Sequence, residues 1–161
     1  DHPEECVSAL GKRVALKEAA ASQELRRIQS RGLLQAERRG VRLVYRLAAD
    51  PQVASAAPLL KALQTAFDAC PAERDADMVA IAAGLAHERR IRIVRTLLEG
   101  RRTRLDLQYA TRISPHPFQK HLEKLAAGGF VVAEDDSIQF AVPDHPLAKA
   151  LVKLIRQGAA G

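Results

Sequence analysis

The residues best equipped for chemistry are Arg38, Arg39 and Arg42, which crowd around a glycine in the run Arg38-Arg39-Gly40-Val41-Arg42. Guanidinium groups held close together suit contacts with phosphate or carboxylate oxygens. Such a run is often only a solvated hairpin tip, but beside an exposed helix it becomes a means of gripping a polyanion. The preceding segment supplies that helix, with Lys17, Ser22, Gln23, Arg26 and Arg27. A second set, Ser114, His116, Gln119 and Lys120, stands in a similar context further along the chain. Enzyme chemistry finds little support. There is no phosphate-cradling glycine loop, no H-E-x-x-H and no nucleophile elbow, and Ser22 and Ser114 fall at helix faces or starts without a base. Asp135-Asp136 reads as a turn rather than as paired carboxylates. A non-enzymatic protein is expected.

Composition agrees with a folded polyanion binder. The 161 residues are 47% apolar and 27% charged, which fits one or two globular domains. Lys and Arg number 25 against 19 Asp and Glu, a net charge of +6 shared evenly between the parts before and after Cys70. Aromatics are only 4%, without tryptophan, which disfavours a single-strand surface built on base stacking. No apolar run approaches the roughly 20 residues of a membrane span, so no membrane association is expected. The chain starts at Asp1 and its one methionine is Met78, so some sequence before Asp1 is expected to have been removed or left out. Cys6 and Cys70 form no CxxC. A reduced, cytoplasmic protein is the expectation, and a Cys6–Cys70 redox pair the alternative.

These groups need elements to hold them. Apolar residues at three- and four-residue spacing predict helices over 5–16, 17–30, 53–69, 76–86, 87–99, 105–113, 115–127 and 146–156. Leu59, Leu60, Leu63 and Phe67 mark the buried face of the third, and Ile91, Val94, Leu97 and Leu98 that of the fifth. Phe118, Leu122 and Leu125 mark that of the seventh. Arg89, Arg90, Arg92 and Arg95 are expected as a solvated face, and His121 on a helix surface. Residues 33–37 with 41–47, and 130–134 with 137–142, predict two hairpins. Cys70-Pro71-Ala72-Glu73-Arg74-Asp75 is the expected boundary between a first unit, 1–70, and a second, 71–161; residues 157–161 should fray.

The chain repeats itself. At an offset of 97, Leu25, Ile28, Gly32 and Leu33 fall on Leu122, Leu125, Gly129 and Phe130, and Leu10 and Leu16 on Leu107 and Ile113. Beyond the hairpin tips the sequence alignment gives 95, placing Leu43, Tyr45 and Leu47 on Ile138, Phe140 and Val142. A tandem duplication is the expected origin. Each copy reads as helix, turn, glycine-ended helix and two-stranded ribbon, so the expected fold is mainly α with small β-hairpins, a tandem winged helix-turn-helix. The first copy has no counterpart of the 87–100 helix.

The motifs resemble those of ArsR/SmtB-type winged-helix repressors. Gly84-Leu85-Ala86-His87-Glu88-Arg89-Arg90-Ile91-Arg92-Ile93-Val94-Arg95-Thr96-Leu97-Leu98-Glu99-Gly100 is similar to that family's first-helix signature. Ile113-Ser114-Pro115-His116-Pro117-Phe118-Gln119-Lys120-His121-Leu122 resembles its recognition helix, and Arg38-Arg39-Gly40-Val41-Arg42-Leu43-Val44-Tyr45-Arg46-Leu47 its wing. The resemblance implies a DNA-binding transcriptional regulator, a repressor, whose partners are double-stranded DNA and either a second copy or the sister unit as an intrachain pseudodimer through the terminal helices. The second wing tip, Glu134-Asp135-Asp136, departs from this pattern because phosphate would repel it. The first unit is therefore the expected DNA binder. A protein-interaction or ligand-sensing module without DNA contact is the alternative. Glu5-Cys6-Val7-Ser8-Ala9-Leu10 resembles the family's arsenic-binding stretch, yet keeps a single cysteine where two or three thiolates are needed. The segment around Asp144-His145 lacks the downstream ligands of a zinc site. No metal and no cofactor are expected. A cavity lined by Leu59, Leu63, Ile81 and Val152 would suit a small-molecule effector.

Overall fold

The computed structural model describes residues 5–70 and 75–158; linker residues 71–74 and residues 159–161 of the end expected to fray at 157–161 lie outside the described residues, whereas Gln157 of that end is helical. Chain contacts divide it into two compact units, Asp1–Leu63 and Gln64–Gly161. The division falls inside a helix, upstream of the linker.

The first unit runs through β1 (Glu5–Cys6), α1 (Val7–Arg13), α2 (Glu18–Ser30), β2 (Leu34–Arg39), β3 (Arg42–Leu47) and the start of α3 (Ala56–Ala69). α1 is shorter than the helix expected over 5–16 for two reasons. Glu5 and Cys6 pair with Tyr45 and Val44 at the edge of β3, and Ala15 takes a left-handed φ of +53°, which a helix does not continue through. α2 ends as expected. The Gly32 N–H donates to the Gln29 carbonyl at 2.8 Å, Gly32 has φ +76°, and a Cβ there would lie 2.9 Å from Val53 Cβ, so conformation and space both require glycine. The antiparallel sheet has the order β1-β3-β2. Tyr45 and Leu34 are buried, whereas Leu43 and Leu47, which share the face of Tyr45 by period-two alternation, are exposed.

The second unit contains the rest of α3, then α4 (Asp75–Leu85), α5 (Glu88–Leu98), β4 (Arg102–Thr103), α6 (Arg104–Thr111), α7 (Pro115–Ala127), β5 (Val131–Glu134), β6 (Ser137–Phe140) and α8 (Pro146–Gln157). Its sheet has the order β4-β6-β5. The caps are chemical. Thr103 Oγ1 accepts from the Asp106 N–H, His87 Nδ1 from the Arg89 N–H, and His145 Nδ1 from the Leu147 N–H, each satisfying a donor that the first helical turn leaves free. The core gathers Ile93, Val94, Leu97, Leu107, Phe118, Leu125, Phe130 and Leu147. Ile93, absent from the expected face of α5, is fully buried, and Phe67 on α3, expected inside, is exposed.

The two units repeat one order of elements. β1, α1, α2 and β2 begin 97 residues before β4, α6, α7 and β5. Even the turn between the two helices repeats: Ala15 and Arg112 share a left-handed φ of 53° and 52°, and each N–H reaches the carbonyl three residues back. The hairpins correct the sequence alignment. Leu34 pairs with Leu47 and Val131 with Phe140, which sets the offset of the last strand at 93 rather than 95 and matches buried Tyr45 with buried Ile138. The second ribbon is thus four residues shorter, two from each arm. Side-chain burial, not residue type, distinguishes the two alignments, because Ile, Phe and Tyr look equally suitable in sequence.

Candidate functional site

Lys17 is the residue before α2 and makes no capping bond with its side chain. Gln23, Arg26 and Arg27 are exposed along α2, and Ser22 is half-buried. Arg27 Nη1 donates to Glu24 Oε1 at 2.6 Å, a solvent-exposed pair that contributes little to stability. Arg26 lines an open groove of about 610 Å³ with Gln29, Gln35 and Asp50. A second groove, about 460 Å³, is lined by Cys6, Ser8, Glu18 and Ser22 together with Val41 and Arg42 of the hairpin. Helix and hairpin tip therefore share one concave surface.

At the tip, Gly40 and Val41 form the loop and Arg39 lies directly opposite Arg42. Period-two alternation puts Arg38 on the other side of the ribbon, opposite Leu43. All three arginines are exposed. Arg38 Nε donates to the Gly40 carbonyl at 3.4 Å. Arg39 Nη2 lies 3.4 Å from Glu37 Oε2, with both side chains more than half exposed. The guanidinium groups thus belong to three solvent-exposed residues.

The corresponding surface of the second unit is different. Ser114 and His116 are exposed at the start of α7, as is Lys120. Gln119 is tied down: Arg104 Nη1 donates to its Oε1, and its Nε2 donates to Glu123 Oε1 at 2.9 Å. Glu123 occupies the position of Arg26, a reversal of charge. Glu134, the last residue of β5, accepts from Gln139 Nε2 at 3.0 Å, and Asp135 and Asp136 form the loop. The second tip is thus acidic where the first is flanked by Arg38, Arg39 and Arg42.

One expectation fails and another holds in part, both for tertiary reasons. His121 is buried rather than on the surface; its ring lies 4.6 Å from that of His87. Arg89, Arg92 and Arg95 of α5 are exposed, as expected of a solvated face, and Arg90 is half-buried. Arg90 donates to the carbonyls of Gly84 and Ala83 at 2.9 and 2.8 Å, closing the end of α4. Arg92 reaches the Thr111 carbonyl at 3.3 Å and Arg95 that of Gly158 at 3.0 Å. Free carbonyls at helix ends attract such donors.

Burial, with the neighbouring His87, Arg90 and Arg89, pushes the His121 pKa below its ordinary value of 6.5. A histidine that resists protonation only when folded contributes stability that is full above the unfolded value and declines as pH falls through the window below it. The melting temperature of the second unit should therefore drop on acidification from pH 7 to 5. His121→Gln should flatten that drop in a thermal scan at matched ionic strength.

Both cysteines are free thiols. Cys70 Sγ is 3.3 Å from His145 Nε2. Cys6 is held below the ordinary thiol range: the Ser8 hydroxyl, 3.2 Å from its Sγ, and the Ala9 N–H favour the thiolate, and the Arg42 guanidinium assists against the opposing effect of burial. Ser8→Ala should slow alkylation of Cys6 at neutral pH, followed by mass spectrometry of the modified peptide. Among the described residues no group of three His, Cys, Asp or Glu side chains could hold a metal ion, and no helix is long and apolar enough to cross a membrane. Leu59 and Leu63, expected to line an effector cavity, belong to the first unit, and Ile81 and Val152 to the second.

Compared with models of protein families, with curated proteins and with solved structures, the chain matches none.

Proposed function

We propose that this protein is a DNA-binding transcriptional regulator, a repressor, built from two winged helix-turn-helix units that arose by duplication, with the first unit gripping the duplex. The observation that carries this reading is the placement of Arg39 directly across from Arg42 beside the exposed cations of α2. Like charges directly opposite one another in a ladder are destabilising, a cost that a bound phosphate reverses. In this reading α2 enters the major groove with Ser22, Gln23 and Arg26 toward base edges, while Lys17, Arg38, Arg39 and Arg42 hold phosphates. Occupancy excludes polymerase. Homodimerisation brings two first units onto half-sites roughly 34 Å apart, one helical turn. A cytoplasmic location accompanies this role.

Fluorescence anisotropy of a labelled random-sequence duplex tests the reading. Affinity should fall steeply between 50 and 200 mM salt, with a slope of about 0.9 per phosphate contact; a flat response would refute it. The second unit favours another role. Its acidic tip and its immobilised Gln119 suit an interaction or ligand-sensing module that sets the geometry of the DNA-binding unit.

A further inference from the structure

The two units bury equivalent residues very differently. In the second, Thr111 and Leu125 are 0% exposed and Ile113 is 4% exposed. Their counterparts 97 positions earlier, Val14, Ile28 and Leu16, are 62%, 39% and 42% exposed. The second unit has α5 packed on α6 and α7, with Arg92 bonded to the Thr111 carbonyl and Ile93, Val94 and Leu97 fully buried. Among the described residues, the first unit has no element in that position. Three aliphatic side chains thus stand in water where the sister unit is dry, and a surface of this kind marks an interaction site.

We propose that this face seats an amphipathic helix of the α5 kind, presented by a partner segment with the same aliphatic spacing. The repeat identifies the occupant. α5 enters β4 through only three residues, 99–101, and β1 is the counterpart of β4 in register order as well as in sequence. The occupant presents aliphatic residues at the spacing of Ile93, Val94 and Leu97, and an arginine one residue before the first of them to meet the Val14 carbonyl as Arg92 meets that of Thr111. The inference goes beyond the nucleic-acid reading and does not depend on it.

The probe is a fluorescent synthetic peptide of residues 87–101, titrated with the 161-residue chain. Saturable binding is expected, weakened more than tenfold by the paired substitutions Leu16→Glu and Ile28→Glu. Both positions are exposed, and an unchanged far-UV circular dichroism spectrum and melting temperature confirm the fold of the variant. A peptide with Ile93, Val94 and Leu97 replaced by Ser should not bind. Binding that survives the Leu16→Glu/Ile28→Glu change would place the peptide elsewhere and overturn the proposal, as would failure to bind the intact chain. Sedimentation of the chain alone completes the test. A concentration-dependent dimer abolished by the same substitutions, with no peptide bound, would assign the face to a second copy and overturn the helix.

Discussion

Replacing Arg38, Arg39 and Arg42 together by alanine should weaken duplex DNA binding by about 30-fold or more at physiological salt, taking about 0.7–1 kcal/mol for each exposed phosphate contact. The salt slope should fall by about 2 to 3, because each lost contact no longer releases counterions. The side chains are exposed, so the fold should be intact, and removing the Arg39–Arg42 opposition should leave the hairpin no less stable. The equivalent neutralisation in the second unit, Glu134→Gln with Asp135→Asn and Asp136→Asn, should strengthen non-specific binding slightly or leave it unchanged. Opposite signs at the two tips would show that the asymmetry lies in charge rather than in ribbon shape. Undiminished binding by the arginine-free tip would remove the hairpin from the interface.

The largest expected loss of stability is Phe130→Ala. The Phe130 ring is 0% exposed and lies against Gly84 and Gly128, where an added Cβ would meet ring atoms at 3.1 Å. Its N–H donates to the Leu125 carbonyl at 2.9 Å and its carbonyl accepts from the Ala141 N–H at 3.0 Å, so the backbone cannot collapse into the space left by the ring. Truncation of a large aromatic in such a site costs about 3–5 kcal/mol, enough to lower the melting temperature of a domain this size by more than about 10 °C. The counterpart, Leu33, is only half-buried, and Leu33→Ala should cost much less. Calorimetry of both variants separates the units, since each change should move the transition of its own unit.

What the sequence disclosed depends on how local the determining physics is. The ends of α2 and α7 were legible because a helix stop at Gly32 or Gly129 follows from positive φ within a few residues. The two hairpins were legible from alternation and a turn. β1 and β4 were not: two residues cannot display a period, and Glu5-Cys6 and Arg102-Thr103 become strands only because β3 and β6 offer an unpaired edge. The hairpin offset failed for a related reason, since register is decided by which aromatic or aliphatic side chain reaches the core. Burial of His121 did leave a signal. It lies three residues after Phe118 and four before Leu125, on the apolar stripe of α7. The carbonyls that capture Arg90, Arg92 and Arg95 come from α4, α6 and the end of α8, and no reading of α5 alone could find them. The cationic residues of α2 and the tip were legible, but their common groove with Cys6 and Ser22 emerged only from the fold.

The central claim is that α2 and the arginine hairpin of the first unit form the surface that meets a duplex. Backbone amide chemical shifts of the isotopically labelled chain, recorded during titration with a short duplex, test this residue by residue. The account predicts perturbations at Lys17, Ser22, Gln23, Arg26 and at Arg38 through Arg42, growing as salt is lowered, with Asp135 and Asp136 unmoved. Shifts confined to α7 and the acidic tip, or no shifts at low salt, would contradict it.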